Sequence, residues 1–509
     1  MRREAVGAVL LLAIAFGTWK AWTAGLPWVR FQMNLRGYSD GVPQFHRKLA
    51  IAGDAWAGYF VLRSPDFRAR MEGAAIEYAW HDEPDQGERM RKLARGGYDM
   101  AAATVDSYLV NGASAGFPAS IVLVVDESDG GDALVVGPRI STIQDLLRDD
   151  VRIAVTPASP SEHLLRVVAS HFQLDRLRVP GSWRVPTKES KDAFDRLVRG
   201  EVDAAVLWEP EVSRAEKTPG LRRLLSTRES DDLIVDVLLV SGSLLSGEPE
   251  LVDHVARSYF QALHHYRRSP SLLAEQIASD TKSDVASAKA ITDGIAFVGF
   301  LDNGQEWMGV AADGSLGMVK MSGVIQDTLS VLADSGTAVP LQDPRRIVDQ
   351  GVLARLAKSG FHPEEDVRTA SSEEEARPLS EEEWTRLREV GRLPVLPIYF
   401  KSGSNELSEQ DIVSVDALAR VLLKYPRYRI AIRGHSSRGT DPQADRTLSQ
   451  ERADAIRLYL VQRHKVSSAR TLAIGVGSSQ PLQRQPNEPE RAWKARNQRV
   501  EFELLEERY

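Results

Sequence analysis

Two sets of residues in this sequence have the types and spacing to hold a small polar molecule. The first is Gly434-His435-Ser436-Ser437, followed by Leu448-Ser449-Gln450-Glu451-Arg452-Ala453. Backbone N–H groups of such a loop, with the Arg452 guanidinium, can hold a carboxylate. The second set is scattered: Asp54 with Trp56, Thr104 with Asp106 and Ser107, Ser159 and Ser161 with His163, and Trp208 with Glu209. Each of these groups stands where a short apolar run gives way to a loop. Hydroxyls and helix N-termini suit an anion, and an indole face suits an apolar or cationic part. Taken singly they have plainer readings: Trp208 as a core residue, His163 as a surface or packing residue.

Nothing else in the chain demands chemistry. No His-Glu-x-x-His pair and no Walker loop occurs, and ten histidines without a cysteine assemble no metal constellation. The absence of cysteine also excludes disulfides, thiol catalysis and a lipobox. A length of 509 residues allows two to four domains at ~100–200 residues each. Apolar content of 43% and charged content of 27% are those of globular protein. A net charge of −7 without a long basic run argues against nucleic acid as a partner. Binding without a cofactor is the expectation, and not enzymatic turnover.

The elements that position these residues are legible as periodicities. Residues 428–433 alternate in period two like a half-buried strand. Ala453, Ile456, Tyr459, Leu460 and His464 recur at helical spacing. Thr447 and Gln450 have the spacing of a capping box, which predicts a helix start near Leu448 and brings Ser436, Ser437 and neighbouring acids to its first turn. Upstream, short apolar runs at 49–52, 74–79, 99–104, 120–125, 151–155 and 204–207 alternate with helical patterns. That alternation predicts an α/β fold with largely parallel sheets, in which ligands sit beyond the carboxyl ends of strands. Residues 140–146 read as the cap and start of a helix, and 325–332 as a further helix. Between 362 and 387, Glu-rich runs read as an acidic linker with some helix at 380–388.

The N-terminus has Arg2 and Arg3 ahead of an uncharged stretch from Ala5 to Trp19, then Lys20 and an apolar, Trp-rich continuation. The pattern suits export. Cleavage after Ala24 would put Trp22 where a small residue is wanted, so an uncleaved membrane anchor over residues 1–30 is the expectation, and a cleaved signal the alternative.

From Leu393 to Leu505 the chain resembles the OmpA C-terminal-like domain that holds envelope proteins to peptidoglycan. The residues that carry this are Ile398-Tyr399-Phe400 with Ser402-Gly403-Ser404, the Gly434-His435 loop, Leu448-Ser449 with Arg452-Ala453, the Gly475-x-Gly477 turn with Pro481, and Arg496-Asn497-Gln498-Arg499-Val500. The resemblance implies a small α+β domain and a site formed by His435, Ser436, Ser437, Arg452 and Arg499. In the family an Asp at the position of Ser437, with the arginine matched by Arg452, clamps the diaminopimelate of the stem peptide. Ser437 is therefore a departure. Asp441 and Asp445 are the candidates for the missing anion, the alternative being a weak or lost wall site.

The preceding 300 or so residues resemble periplasmic solute-binding proteins of the nitrate/sulfonate/taurine and pyrimidine-precursor type. Gly97-Tyr98-Asp99, the 126–132 segment, Ile143-Gln144-Asp145-Leu146 and above all the string from Leu197 to Pro210 carry this. It implies two α/β lobes of the type 2 periplasmic-binding fold, lobe 1 at about 46–128 and 236–360, lobe 2 at about 133–232. Asp54, Trp56, Thr104, Asp106, Ser107, Ser159, Ser161, Trp208 and Glu209 would face the cleft, and Gly130-Gly131 would be a hinge. The domain expectation is an anchor (1–30), a solute-binding part (46–360), a linker (361–390) and a wall module (391–509). The expected partners are a small solute, peptidoglycan, the membrane and an ABC-type permease. The competing expectation is a scaffold that uses the same fold as a protein-docking surface.

Overall fold

The computed structural model describes residues 44–363, 376–394, 400, 407–437 and 441–507. Three sheets organise them. The first has the order β11-β4-β10-β3-β1-β2. It comprises β1 (Arg47–Gly53), β2 (Ile76–Asp82), β3 (Met100–Thr104), β4 (Ala119–Ser128), β10 (Val235–Ser241) and β11 (Ile295–Phe297). The second has the order β7-β6-β8-β5-β9, built from β5 (Asp132–Val136), β6 (Ile153–Val155), β7 (Arg184–Pro186), β8 (Ala204–Trp208) and β9 (Arg222–Ser226). The third has the order β12-β15-β13-β14, with β12 (Arg388–Arg392), β13 (Arg429–His435), β14 (Thr471–Gly477) and β15 (Val500–Glu506).

Every residue of β3 and of β10 is buried, as strands covered on both faces require. β2, at the sheet edge, alternates and ends exposed. β1 runs parallel to β2 and β3, and β6 parallel to β7 and β8. The sheets are not parallel throughout. β10 lies antiparallel between β3 and β4, and β5 antiparallel between β8 and β9. β10 and β5 adjoin the points where the chain crosses between lobes, from β4 to β5 and back from β9 to β10, and β11 is a further antiparallel strand, paired with β4 at the sheet edge. Gly130 in the first crossover has φ 102°, and a Cβ there would lie 2.7 Å from the Arg228 guanidinium. Thr227 of the second crossover accepts from the Gly130 N–H at 2.9 Å and lies 2.9 Å from Ser128 Oγ.

Five helices matter below: α1 (Val105–Ser114), α2 (Pro160–His171), α3 (Lys320–Asp334), α4 (Glu409–Leu423) and α5 (Pro442–His464). α5 begins six residues before the predicted start at Leu448. Asp441 accepts from the Gln443 N–H at 2.8 Å and Pro442 fills the first helical position, a stronger start than Thr447 supplies. Residues 143–147 form a single 3₁₀ turn where a helix start was expected. Thr142 and Asp145 close it reciprocally, and Arg148 resumes extended backbone. The stretch expected as linker ends in structure: Ser380 and Glu383 box a short helix over Glu381–Arg386, and β12 then pairs antiparallel with β15.

The expected anchor over residues 1–30, the acidic runs at 364–366 and 373–375, and the 402–404 motif lie outside the described residues. Among the described residues no helix is long and apolar enough to cross a membrane.

Candidate functional site

Two polar sites emerge, one between the lobes and one under α5. Between the lobes, Thr104, Asp236 and Asp126 stand opposite one another across β3, β10 and β4, and so on one face of the sheet. Tyr59 donates to Asp236, and Trp56 Nε1 lies 3.4 Å from Asp126 Oδ1. Asp54 accepts from the Trp56 N–H at 3.0 Å and from Arg89 at 2.9 Å, so Asp54 orients the indole and neutralises a buried arginine. At the hinge Ser128 donates to Asp132 at 2.7 Å. Asp106 sits in the first turn of α1, and Ser107 Oγ is 3.5 Å from its carboxylate.

The second lobe brings fewer free groups. Ser159 donates to the Thr156 carbonyl at 2.7 Å and Ser161 to the Val206 carbonyl at 3.1 Å, so both hydroxyl protons are committed to the fold. Glu209 caps the following helix through the N–H and hydroxyl of Ser213. Trp208 is half-buried, its backbone N–H bonded to Ser190. Thr104 Oγ1, Asp126 Oδ2 and His163 Nδ1 are among the buried polar atoms without a hydrogen-bond partner.

The lobes are closed on one another. Thr104, Asp106, Ser107, Ser161, His163 and Glu209 are all buried, while Asp54, Trp56, Ser159 and Trp208 keep partial exposure. A cavity of about 330 Å³ lies elsewhere, in the first lobe beside Gln305, Leu316 and Met318. The interlobe region is strongly acidic. Burial pushes the Asp132 carboxyl up to about 7, with Asp106 and Glu209 adding repulsion against the Ser128 hydrogen bond. Burial also raises Asp126, Asp236 and Glu209, and it lowers His163, which favours a neutral imidazole. Among the described residues no group of acids and histidines could hold a metal ion.

Asp126, Asp132, Asp236 and Tyr59 were not singled out from sequence. A signal existed for Asp236, a lone acid inside the apolar run 235–240. One string with the spacing of a nucleophile elbow, from Gly112 through Ser114 to Gly116, gives no reactive serine. It occupies the end of α1, where Ser114 Oγ donates to the Asn111 carbonyl.

Under α5, the end of β13 carries His435, Ser436 and Ser437. The His435 N–H donates to the Arg499 carbonyl and the Ser436 N–H to the Gly477 carbonyl, which ties the loop to β15 and β14. α5 crosses close above: a Cβ on Gly434 would stand 2.0 Å from the Ser449 carbonyl oxygen. Arg452, next to the Ala453 that touches Gly434, is buried with its guanidinium 4.9 Å from the Phe400 ring centre. Arg499 donates to Glu501 at 2.6 Å, and His435 Nε2 lies 3.5 Å from the same carboxylate. Although burial opposes it, these two neighbours hold the Glu501 carboxyl down at about 2. Ser436 Oγ and Arg499 Nη1 are buried without hydrogen-bond partners. Ser437 accepts from Gln498 at 3.1 Å. Asp441 caps α5 and Asp445 accepts from Ser478 at 2.9 Å, so both acids already have structural work.

Comparison with known proteins agrees with this division. Residues 399–495 match the model of the OmpA family. The chain is 33% identical over 86 residues to the peptidoglycan-associated lipoprotein of Buchnera aphidicola, covering 17% of this chain and 49% of that one. It is 26% identical over 213 residues to the taurine-binding periplasmic protein of Escherichia coli, covering 41% of this chain and 62% of that one. The chain thus spans less than two thirds of either relative. The periplasmic sulfonate-binding protein SsuA of Methylobacillus flagellatus KT aligns with 62% of this chain and 95% of its own, at 14% identity and a TM-score of 0.48. The desulfurization enzyme DSZB aligns with 62% of this chain and all of its own, at 13% identity and a TM-score of 0.42. The chain joins a two-lobed α/β part, similar over 213 residues of the chain to a taurine-binding periplasmic protein, to a C-terminal part in which residues 399–495 match the OmpA family.

Proposed function

We propose that the protein is an envelope receptor that captures a small sulfonate-type solute between its lobes while its C-terminal domain holds it to peptidoglycan. The observation that carries this is the polar set between the lobes, with Thr104 Oγ1 and His163 Nδ1 buried and unpartnered beside an acidic row. Burying such groups dry costs free energy, and a ligand that hydrogen-bonds them recovers it. The N-termini of α1 and α2 suit an oxyanion, and Asp106, Asp132 and Glu209 suit an ammonium. A zwitterionic aminosulfonate such as taurine meets both demands, whereas a simple oxyanion meets the first and is repelled by the second.

Asp54, Trp56, Thr104, Asp106, Ser107, Ser159, Ser161, Trp208 and Glu209 are the proposed cleft residues. His435, Ser436, Ser437, Asp441, Asp445, Arg452 and Arg499 are the proposed wall residues, with Arg452 and Arg499 taking carboxylate. The anchor over residues 1–30 would place the receptor at the periplasmic face of the inner membrane, beside an ABC-type permease. No reaction is assigned to it. Calorimetric titration with taurine, alkanesulfonates, nitrate and pyrimidines tests the solute reading. Saturable heat with taurine, stronger than with an alkanesulfonate lacking the amine, is expected; no heat with any of them refutes it.

A second reading, a scaffold that uses the closed lobes as a docking surface, is favoured by the burial of the cleft-facing residues against one another. Partner capture that survives Trp56→Ala and Trp208→Ala, together with silent titrations, would select it.

A further inference from the structure

The C-terminal domain does not hang from the two lobes as a separate bead. It shares a hydrophobic core with the second lobe: Tyr425 and Tyr428 are fully buried, and Tyr425 lies 5.9 Å from the Phe172 ring centre. The Tyr425 hydroxyl is 2.9 Å from His171 Nδ1 at the end of α2. Gln144 and Arg392 exchange hydrogen bonds at 2.8 and 3.0 Å, and a Cβ on Gly391 would stand 3.0 Å from Ile143. The domain therefore moves with the second lobe.

The short turn after α4 also reaches both crossovers. Arg427 donates to Asp129 at 2.8 Å and to the Arg228 carbonyl, and the Asp231 N–H donates to the Lys424 carbonyl at 3.0 Å. From there it touches the first lobe. Lys424 Nζ lies 3.2 Å from Asp327 on α3, and 3.3 Å from Asp232, whose other oxygen is 2.9 Å from Lys320, also on α3. Rotation at Gly130 that parts the lobes carries α3 away from a domain fixed to the second lobe. Lys424 cannot then hold both partners.

We infer that the OmpA-family domain is a latch on the hinge, holding the two lobes closed through Lys424 and Arg427. This rests on reading the upstream part as a hinged receptor. Two consequences follow from population-shift reasoning. The resting chain is biased toward the closed form even without solute. Anything that pulls the wall domain off the hinge opens the cleft and weakens solute binding, and solute binding strengthens the seating of the wall domain by the same factor.

The test uses the absence of native cysteine. Spin labels at Asp82→Cys, the exposed end of β2 at the edge of the first sheet, and Lys188→Cys, just beyond β7 at the edge of the second, mark one lobe each. Pulsed electron paramagnetic resonance then reads the interlobe distance in the full chain without any solute. A short, narrow distribution is expected, lengthened and broadened in Asp327→Asn and more so in the Lys424→Ala/Arg427→Ala double variant. Asp327 is largely exposed, so its variant should keep the fold, and it decides alone if the double variant loses its cooperative melt. A distribution that Asp327→Asn leaves unchanged overturns the latch. Because no solute enters the measurement, that failure is distinct from silent solute titrations, which would refute the receptor reading instead.

Discussion

Asp132 offers the sharpest energetic test of the closed, acidic interlobe region. Its side chain is 3% exposed and accepts a hydrogen bond from Ser128 at 2.7 Å. Burial, reinforced by Asp106 and Glu209 and opposed by Ser128, raises its pKa from 3.8 to about 7. A folded-state value above the unfolded one means that the folded chain binds the proton more tightly. The contribution to stability is therefore intact below about pH 4 and is lost as pH rises toward about 7. At about 1.4 kcal/mol per tenfold in affinity, the full effect is about 4 kcal/mol. Asp132→Asn resembles the protonated acid in shape, keeps an acceptor for Ser128 and cannot ionise. Urea denaturation across pH, followed by tryptophan fluorescence, should give nearly equal stabilities for parent and variant near pH 4. Near pH 8 the variant should be more stable by about 2–4 kcal/mol. A difference that does not change with pH would show that Asp132 is ionised and satisfied in the folded chain, and the account of the buried acids would fall.

Three further outcomes follow from the C-terminal domain. Gly434→Ala forces a Cβ against the Ser449 carbonyl and should destabilise this domain by about 3 kcal/mol, read as a lowered melting transition. Arg452→Ala should reduce pelleting with purified peptidoglycan at least tenfold, from the ~1.5–3 kcal/mol of a hydrogen bond to a charged group; equal pelleting would remove Arg452 from the site. Tyr425→Ala empties a fully buried position shared with the second lobe and should cost about 3–5 kcal/mol, with the two transitions separating in a thermal scan.

Much of the frame was legible because it is written in local patterns. The apolar runs at 49–52, 120–125 and 204–207 lie within β1, β4 and β8, and the run at 99–104 begins one residue before β3. Helix boundaries were harder, since several caps competed. Asp441 with Pro442 outranked Thr447 with Gln450, and the Thr142/Asp145 box closed one turn only. The acidic row was illegible for a different reason. Asp236 meets Tyr59 across 177 positions and Asp126 across two strands, and no short-range pattern reports such a meeting. The docking of the wall domain escaped in the same way: Tyr428 reads as the lead-in to a strand, and nothing local says that its neighbour Tyr425 will meet His171.

The central claim, a solute trap gripped to the wall, is met most directly by one co-sedimentation measurement with radiolabelled taurine. Purified peptidoglycan should carry label into the pellet only when the protein is present. Arg452→Ala should leave both protein and label in the supernatant, and Trp208→Ala should pellet the protein without the label. Label that stays in solution while the parent protein pellets, across taurine and the alkanesulfonates alike, would contradict the account.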